Sequence, residues 1–140
     1  MDILVDTGAF YALADHSDQY HQQALAFYTV SCQTDRLLTT DYILVETWTL
    51  LHHRLGRPAA MKFWDSLSRG MIPLVGVTRQ DLDQARRIAH AYADQDFSLV
   101  DCTAMAVMER LHIDRVFAFD THFEIYRYGP QRERHFIRVP

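Results

Sequence analysis

Lysine is almost absent from this sequence. Lys62 is the only one among 14 Lys and Arg residues, and every other cation is an arginine. Arginine makes planar, bidentate contacts with phosphate, so the bias fits nucleic-acid contact, although high genomic GC content produces it equally well. Positive charge is not in excess: 18 acids against 14 bases leave a net charge of −4, which argues against holding nucleic acid by bulk charge. No apolar run approaches the ~20 residues needed to span a bilayer. The N-terminus shows no secretory pattern, since Met1-Asp2 leads directly into a strand-like segment. A cytoplasmic protein without a membrane partner is the expectation. Cysteine is scarce as well. Cys32 and Cys102 have no C-x-x-C spacing, and two free thiols are expected, with a disulfide left open. Internal repeats, low-complexity tracts and linkers are missing, so residues 1–140 are expected to form one domain.

What is present is an alternation of short apolar strands and longer helical stretches. Strands are expected at Ile3–Val5, Leu37–Thr39, Ile72–Val77, Val116–Phe119 and Phe136–Val139. Helices are expected at Ala9–Ala14, from a Ser17 or Asp18 cap to Val30, and from a Thr40 or Asp41 cap to Leu55. A further helix carries Pro58 in its first turn and ends near Gly70. Thr78 caps one through Ala93, Ser98 caps one through Leu111, and a short piece covers His122–Tyr126. This order predicts an α/β fold with three layers, α/β/α, around a central, mainly parallel sheet. In such sheets, sites form beyond the carboxyl ends of the strands.

Two aspartates occupy those positions. Asp6 follows Ile3-Leu4-Val5, and Asp120 follows Val116–Phe119. Either could instead be a plain helix N-cap. Glu46 shares a helix face with Ile43 and Leu50, beside an apolar stripe of Leu44, Trp48, Leu51 and Leu55. A carboxylate placed there needs a partner, and an arginine ion pair is the plain alternative. Asp101 stands three residues after Ser98, as in a capping box, next to a stripe of Val100, Ala104, Val107, Met108 and Leu111. Two carboxylates ~4 Å apart repel by about 4 kcal/mol at an effective dielectric near 20, so four together call for a cation. Oxygen-only ligands favour a hard ion, Mg²⁺ or Mn²⁺. Zinc is disfavoured: there is no H-E-x-x-H, and His52-His53 puts its two rings on different helix faces.

These residues resemble the motifs of the PIN-domain nucleases. Val5-Asp6-Thr7-Gly8-Ala9-Phe10 resembles the opening motif, and Glu46 within Thr40–Glu46 resembles the second acidic position. Asp96-Phe97-Ser98-Leu99-Val100-Asp101-Cys102 resembles the third, and Phe119-Asp120-Thr121-His122-Phe123 the fourth. The four run in register over nearly the whole chain, and the size is similar to VapC-type toxins. One departure is Ala118, where the family often has threonine two residues before the fourth acid.

The resemblance implies a PIN-like fold and a Mg²⁺- or Mn²⁺-dependent endoribonuclease, the toxin of a type II toxin–antitoxin pair. Asp6 and Asp101 would be the main metal ligands, Glu46 ligand or base, and Asp120 a second-site ligand, with Thr7 and Ser98 orienting ligands from behind. RNA would be guided by flanking arginines. Arg54 and Arg57 are candidates, as are Arg127, Arg132, Arg134 and Arg138, each with a solvated surface role as the alternative. A protein antitoxin and a homodimer are the implied partners. An antitoxin-free RNA-processing nuclease and a non-cleaving RNA- or protein-binding module remain open. A receiver-like phosphoacceptor needs a late lysine, and residues 63–140 contain none. A haloacid-dehalogenase-type phosphatase needs Asp-x-Asp where this chain has Asp6-Thr7-Gly8.

Overall fold

The computed structural model describes residues 1–140. Ile3-Leu4-Val5 carries no polar alternation, and a strand of that kind must be covered on both faces. It forms β1 (Asp2–Val5), the middle strand of a five-stranded sheet in the order β3-β2-β1-β4-β5. The other strands are β2 (Arg36–Thr40), β3 (Leu74–Val75), β4 (Arg115–Phe117) and β5 (Ile137–Val139). Every pairing is parallel. The helices are α1 (Thr7–Ala14), α2 (His21–Thr34), α3 (Asp41–Leu55), α4 (Arg57–Ser68), α5 (Arg79–Ala91), α6 (Leu99–Leu111) and α7 (His122–Ile125).

The chain steps outward from β1 to β2 and β3, then returns past β1 to β4 and β5. Right-handed crossovers then place α1 to α4 on one face and α5 to α7 on the other. The strand order reverses between β1 and β4, and a crevice opens at that point beyond the carboxyl ends. Asp6 leaves β1 at this crevice, and Asp120 follows β4 at the same edge. The core runs on both sides of the sheet, with Phe117, Phe123, Phe136, Met105 and Met108 among its largest fully buried side chains.

Several expected boundaries move. α2 starts at His21 rather than at Ser17 or Asp18, because the Asp18 carboxylate turns the chain locally by accepting the Tyr20 N–H at 3.0 Å. It runs on to Thr34. The strand expected over Ile72–Val77 shrinks to Leu74–Val75 at the sheet edge. Pro73 lacks an N–H for the ladder, though its carbonyl accepts from Thr39 at 3.1 Å. β4 ends at Phe117, so Asp120 lies in the loop after it rather than directly at the strand end.

The α3 stripe is centred differently as well. Ile43, Thr47 and Leu51 are buried, while Leu55 is exposed. α6 has no solvent stripe through its middle: all eight positions from Asp101 to Met108 are buried, while Leu99 at its start and Leu111 at its end are exposed. This helix packs mainly against α5, with smaller contacts to α3 and α7. Cys102 is buried there, and burial together with the Asp101 charge pushes its thiol up to about 11. Cys32 is exposed on α2, so the two thiols are separate.

Candidate active site

Asp6 occupies the N-cap position of α1, yet its side chain makes no cap hydrogen bond. The capping explanation therefore fails for this residue. The carboxylate is 2% exposed, and its Oδ1 is buried with no hydrogen-bond partner. Buried polar atoms are almost always partnered, because an orphan loses its water without replacement. Burial is the first reason that Asp6 is pushed well above the usual carboxylate range. The Asp101 and Asp120 charges come next, and Glu46 adds to them.

Asp101 reaches the same crevice from the first turn of α6. Its capping box is complete: Ser98 Oγ accepts the Asp101 N–H at 2.9 Å, and Asp101 Oδ2 accepts the Ser98 N–H at 3.0 Å. Ser98 thus orients Asp101 through its main-chain N–H, while its hydroxyl is spent on the helix end. Asp101 Oδ2 also lies 2.7 Å from His122 Nδ1, so both contacts fall on one oxygen and Oδ1 remains free to coordinate.

His122 is the residue that sequence reasoning missed. Its ring touches Asp101, and its main-chain N–H is accepted by Asp120 Oδ1 at 3.0 Å. It stands two residues after Asp120, the only signal available in the chain. Asp101, Asp120 and His122 each offer a ligand atom, all within 4.8 Å of one another. Burial first, then the Asp101 charge, raises the Asp120 carboxyl.

Glu46 comes from α3 and is half-buried. Burial raises its carboxyl and the charges of Asp101 and Asp120 add to this, while the Thr7 hydroxyl beside it pulls downward. Thr7 is itself held by the Thr47 hydroxyl, which donates to it at 3.4 Å. The four acids thus lie within electrostatic reach of one another. The arginine ion pairs of the molecule go elsewhere, to Asp2, Asp81, Glu124 and Glu133. Glu46 and Asp6 have no cationic partner, so the ion-pair explanation for Glu46 fails too. A set of mostly oxygen donors with one buried oxygen unpartnered and no arginine ion pair suits a hard divalent cation, although the Arg138 charge acts on Asp120 from a distance.

The arginines divide by place. Arg54 lies beside the site, lining a cleft that also contains Asp120, with its guanidinium 5.2 Å from the centre of the Tyr11 ring. Arg57, at the start of α4, sits 5.9 Å from the Trp48 ring of α3. The tail arginines are engaged locally. Arg138 pairs with Glu124 at 2.8 Å, Arg134 lies 3.9 Å from Glu133, and Arg127 donates to the main-chain carbonyls of Glu124, Ile125 and Tyr126. Arg132 borders a separate cleft with Tyr92 and Tyr126.

Comparison with known proteins points the same way. A model of the PIN domain family matches residues 3–127. The chain is 31% identical over 121 residues to the 23S rRNA-specific endonuclease VapC20 of Mycobacterium tuberculosis, covering 86% of this chain and 91% of that protein. It is 25% identical over 126 residues to Ribonuclease VapC26 of the same organism, covering 89% and 92%. The crystal structure of VapC20, described as a sarcin-ricin loop cleaving toxin, superposes with a TM-score of 0.81 at 29% identity over 87% of this chain and 92% of that one. PAE2754 from Pyrobaculum aerophilum superposes with a TM-score of 0.65 at 19% identity, over 99% and 90%, and shares the fold alone.

Proposed function

The chain belongs to the PIN domain family, of the VapC type, and on that premise we propose that it is a divalent-metal-dependent endoribonuclease acting as the toxin of a toxin–antitoxin pair. The observation that carries this reading is the Asp6 carboxylate. It is buried, unpartnered at Oδ1, without an ion pair, and close to three further acids whose charges bear on it. Such an arrangement is unfavourable for folding by itself. Its cost has a purpose if a cation completes it.

Asp6 and Asp101 are assigned as the principal ligands, Glu46 as ligand or base, and Asp120 as a ligand of a second position. His122 and the Ser98 N–H fix Asp101 Oδ2 and so aim Oδ1. The Thr7 hydroxyl, beside Glu46, favours its ionised form. Mg²⁺ or Mn²⁺ bound there would acidify a coordinated water and offset the negative charge that builds on the phosphate during hydrolysis. The carboxyls raised by burial must lose protons to bind it, so metal affinity keeps rising with pH above the ordinary carboxylate range. The negative pocket repels RNA until it is neutralised, which makes cleavage depend on metal.

Ribosomal RNA is the first substrate to test, because VapC20 is named for 23S rRNA cleavage. A protein partner is supported by an apolar cleft of Leu44, Val45, Trp48, Thr49 and Trp64 between α3 and α4, with Val45 64% and Trp64 46% exposed. That partner is assigned as the antitoxin, with a second copy of the chain as a further one. The test is cleavage of total RNA with Mg²⁺, with EDTA as control and Asp6→Asn as the variant. Cleavage is expected only with Mg²⁺ and wild-type Asp6. If the variant cuts as fast as wild type, the assignment fails.

A further inference from the structure

Asp120 is shared between the acidic crevice and a neighbouring cleft of about 340 Å³, whose walls include Gly8, Tyr11, Tyr20, Arg54 and Phe119. Tyr20 is 38% exposed and stacks on Phe119, with ring centroids 4.6 Å apart and planes 8° from parallel. Phe119 meets the edge of Phe117 at 6.0 Å, and Phe117, fully buried, meets Phe27 at 4.7 Å. A column of rings therefore runs from the core to the surface and ends in the Tyr20 ring. The main chain at Tyr20 is fixed as well, since its N–H donates to Asp18 Oδ2 at 3.0 Å. A rigid aromatic side chain loses little freedom when a ligand settles on it.

Across the cleft, Arg54 carries no ion pair and rests over Tyr11, whose hydroxyl donates to Asp15 Oδ2 at 2.6 Å. A flat exposed ring, a guanidinium without an ion pair and the acidic crevice are thus neighbours. A ring face offers stacking, which any base accepts, and a guanidinium offers bidentate contact to a phosphate. Duplex RNA exposes few base faces, so a stacking platform selects unpaired nucleotides.

We infer that Tyr20, backed by Phe119, is a stacking platform for one unpaired nucleobase next to the phosphate that is cut, and that Arg54 binds the backbone phosphate of that nucleotide. The inference rests on the endoribonuclease reading. It adds the residues that would hold an unpaired nucleotide beside the cut. Both contact the substrate directly, acting on its affinity and leaving the acids untouched.

The test uses the full chain and a fluorescein-labelled, unpaired RNA oligonucleotide of mixed sequence, with cleavage followed in Mg²⁺. Tyr20→Leu keeps an apolar cover on Phe119 and removes the aromatic face. It is expected to raise KM on the order of tenfold with kcat little changed, while Tyr20→Phe behaves as wild type. Arg54→Ala is expected to raise KM and to lower the salt dependence of binding by about one counterion. A second measurement needs no variant: placing an abasic nucleotide at each position beside the cut should raise the wild-type KM by a similar factor at one of them. If wild type cleaves the RNA but Tyr20→Leu and every abasic substrate keep the wild-type KM, the platform is overturned alone, and the ring then covers the core or faces a protein. If wild type cleaves no RNA in Mg²⁺, the endoribonuclease reading falls and takes this inference with it.

Discussion

Asp6→Asn should make the metal-free protein more stable and the metal-loaded protein relatively less so. Asp6 is 2% exposed with Oδ1 unpartnered, and leaving a buried polar group unsatisfied costs about 1–3 kcal/mol. Repulsion among the acids adds to that, and about 4 kcal/mol per close pair at an effective dielectric near 20 is the upper bound, relieved as the cluster takes up protons. Asparagine keeps the shape, removes the charge, and brings an amide N–H₂ that the neighbouring carboxylates can accept from. In EDTA near neutral pH the variant should therefore gain about 1–3 kcal/mol, or roughly 3–10 °C in Tm for a chain of this size.

The pH dependence has a definite sign. Asp6, Glu46 and Asp120 all have folded pKa values above their ordinary ones, burial being the main cause for each. The folded state then binds more protons than the unfolded one between the two values. Stability of the metal-free wild type falls as pH rises from the unfolded value through the raised folded one, and Asp6→Asn flattens that fall. Mg²⁺ at about 100 times its Kd would add about 2.7 kcal/mol to the wild type, and less to the variant. The assay is thermal melting by circular dichroism from about pH 4 to 8, with EDTA and with Mg²⁺. The reasoning is refuted if the variant melts below wild type in EDTA and both gain equally from Mg²⁺.

Two other substitutions separate the site from its scaffold. His122→Ala removes the ring on Asp101 Oδ2 while keeping the main-chain N–H on Asp120, so the Mg²⁺ concentration for half-maximal cleavage should rise about 10- to 100-fold and saturating Mg²⁺ should restore the rate. An unchanged Mg²⁺ requirement would deny His122 that role. Gly56 joins α3 to α4 at φ 98° and ψ 169°, a conformation that side chains avoid, although an added Cβ would meet only Pro58 at an ordinary 3.7 Å. Gly56→Ala should thus cost about 1–3 kcal/mol in urea denaturation through backbone strain, with the Mg²⁺ dependence of cleavage unmoved.

The sequence by itself determined the fold class, because the strongest local signals agreed with the tertiary arrangement. Ile3-Leu4-Val5 without polar alternation specifies a strand covered on both faces. Thr78 and Ser98 announce their helices through capping boxes formed within four residues. The four acids were legible as candidates for the same reason, since each stands where a strand ends, a helix opens or an apolar stripe runs. What the sequence could not decide was which of two local readings each acid follows. Asp101 is a capping residue and a member of the cluster at once, whereas Asp6 holds an N-cap position and caps nothing. That distinction depends on burial and on which partners are absent, and neither is a property of neighbours in the chain.

Tertiary structure alone also brought His122 onto Asp101, 21 residues away, and turned Tyr20 onto Phe119 beside Asp120. These contacts join elements whose sequence separation carries no periodic signal. They exist because β4 returns to lie beside β1 and carries the loop of Phe119, Asp120 and His122 to the edge where Asp6 emerges. Parallel pairing of strands distant in the chain creates the crevice, and local propensity has no term for it.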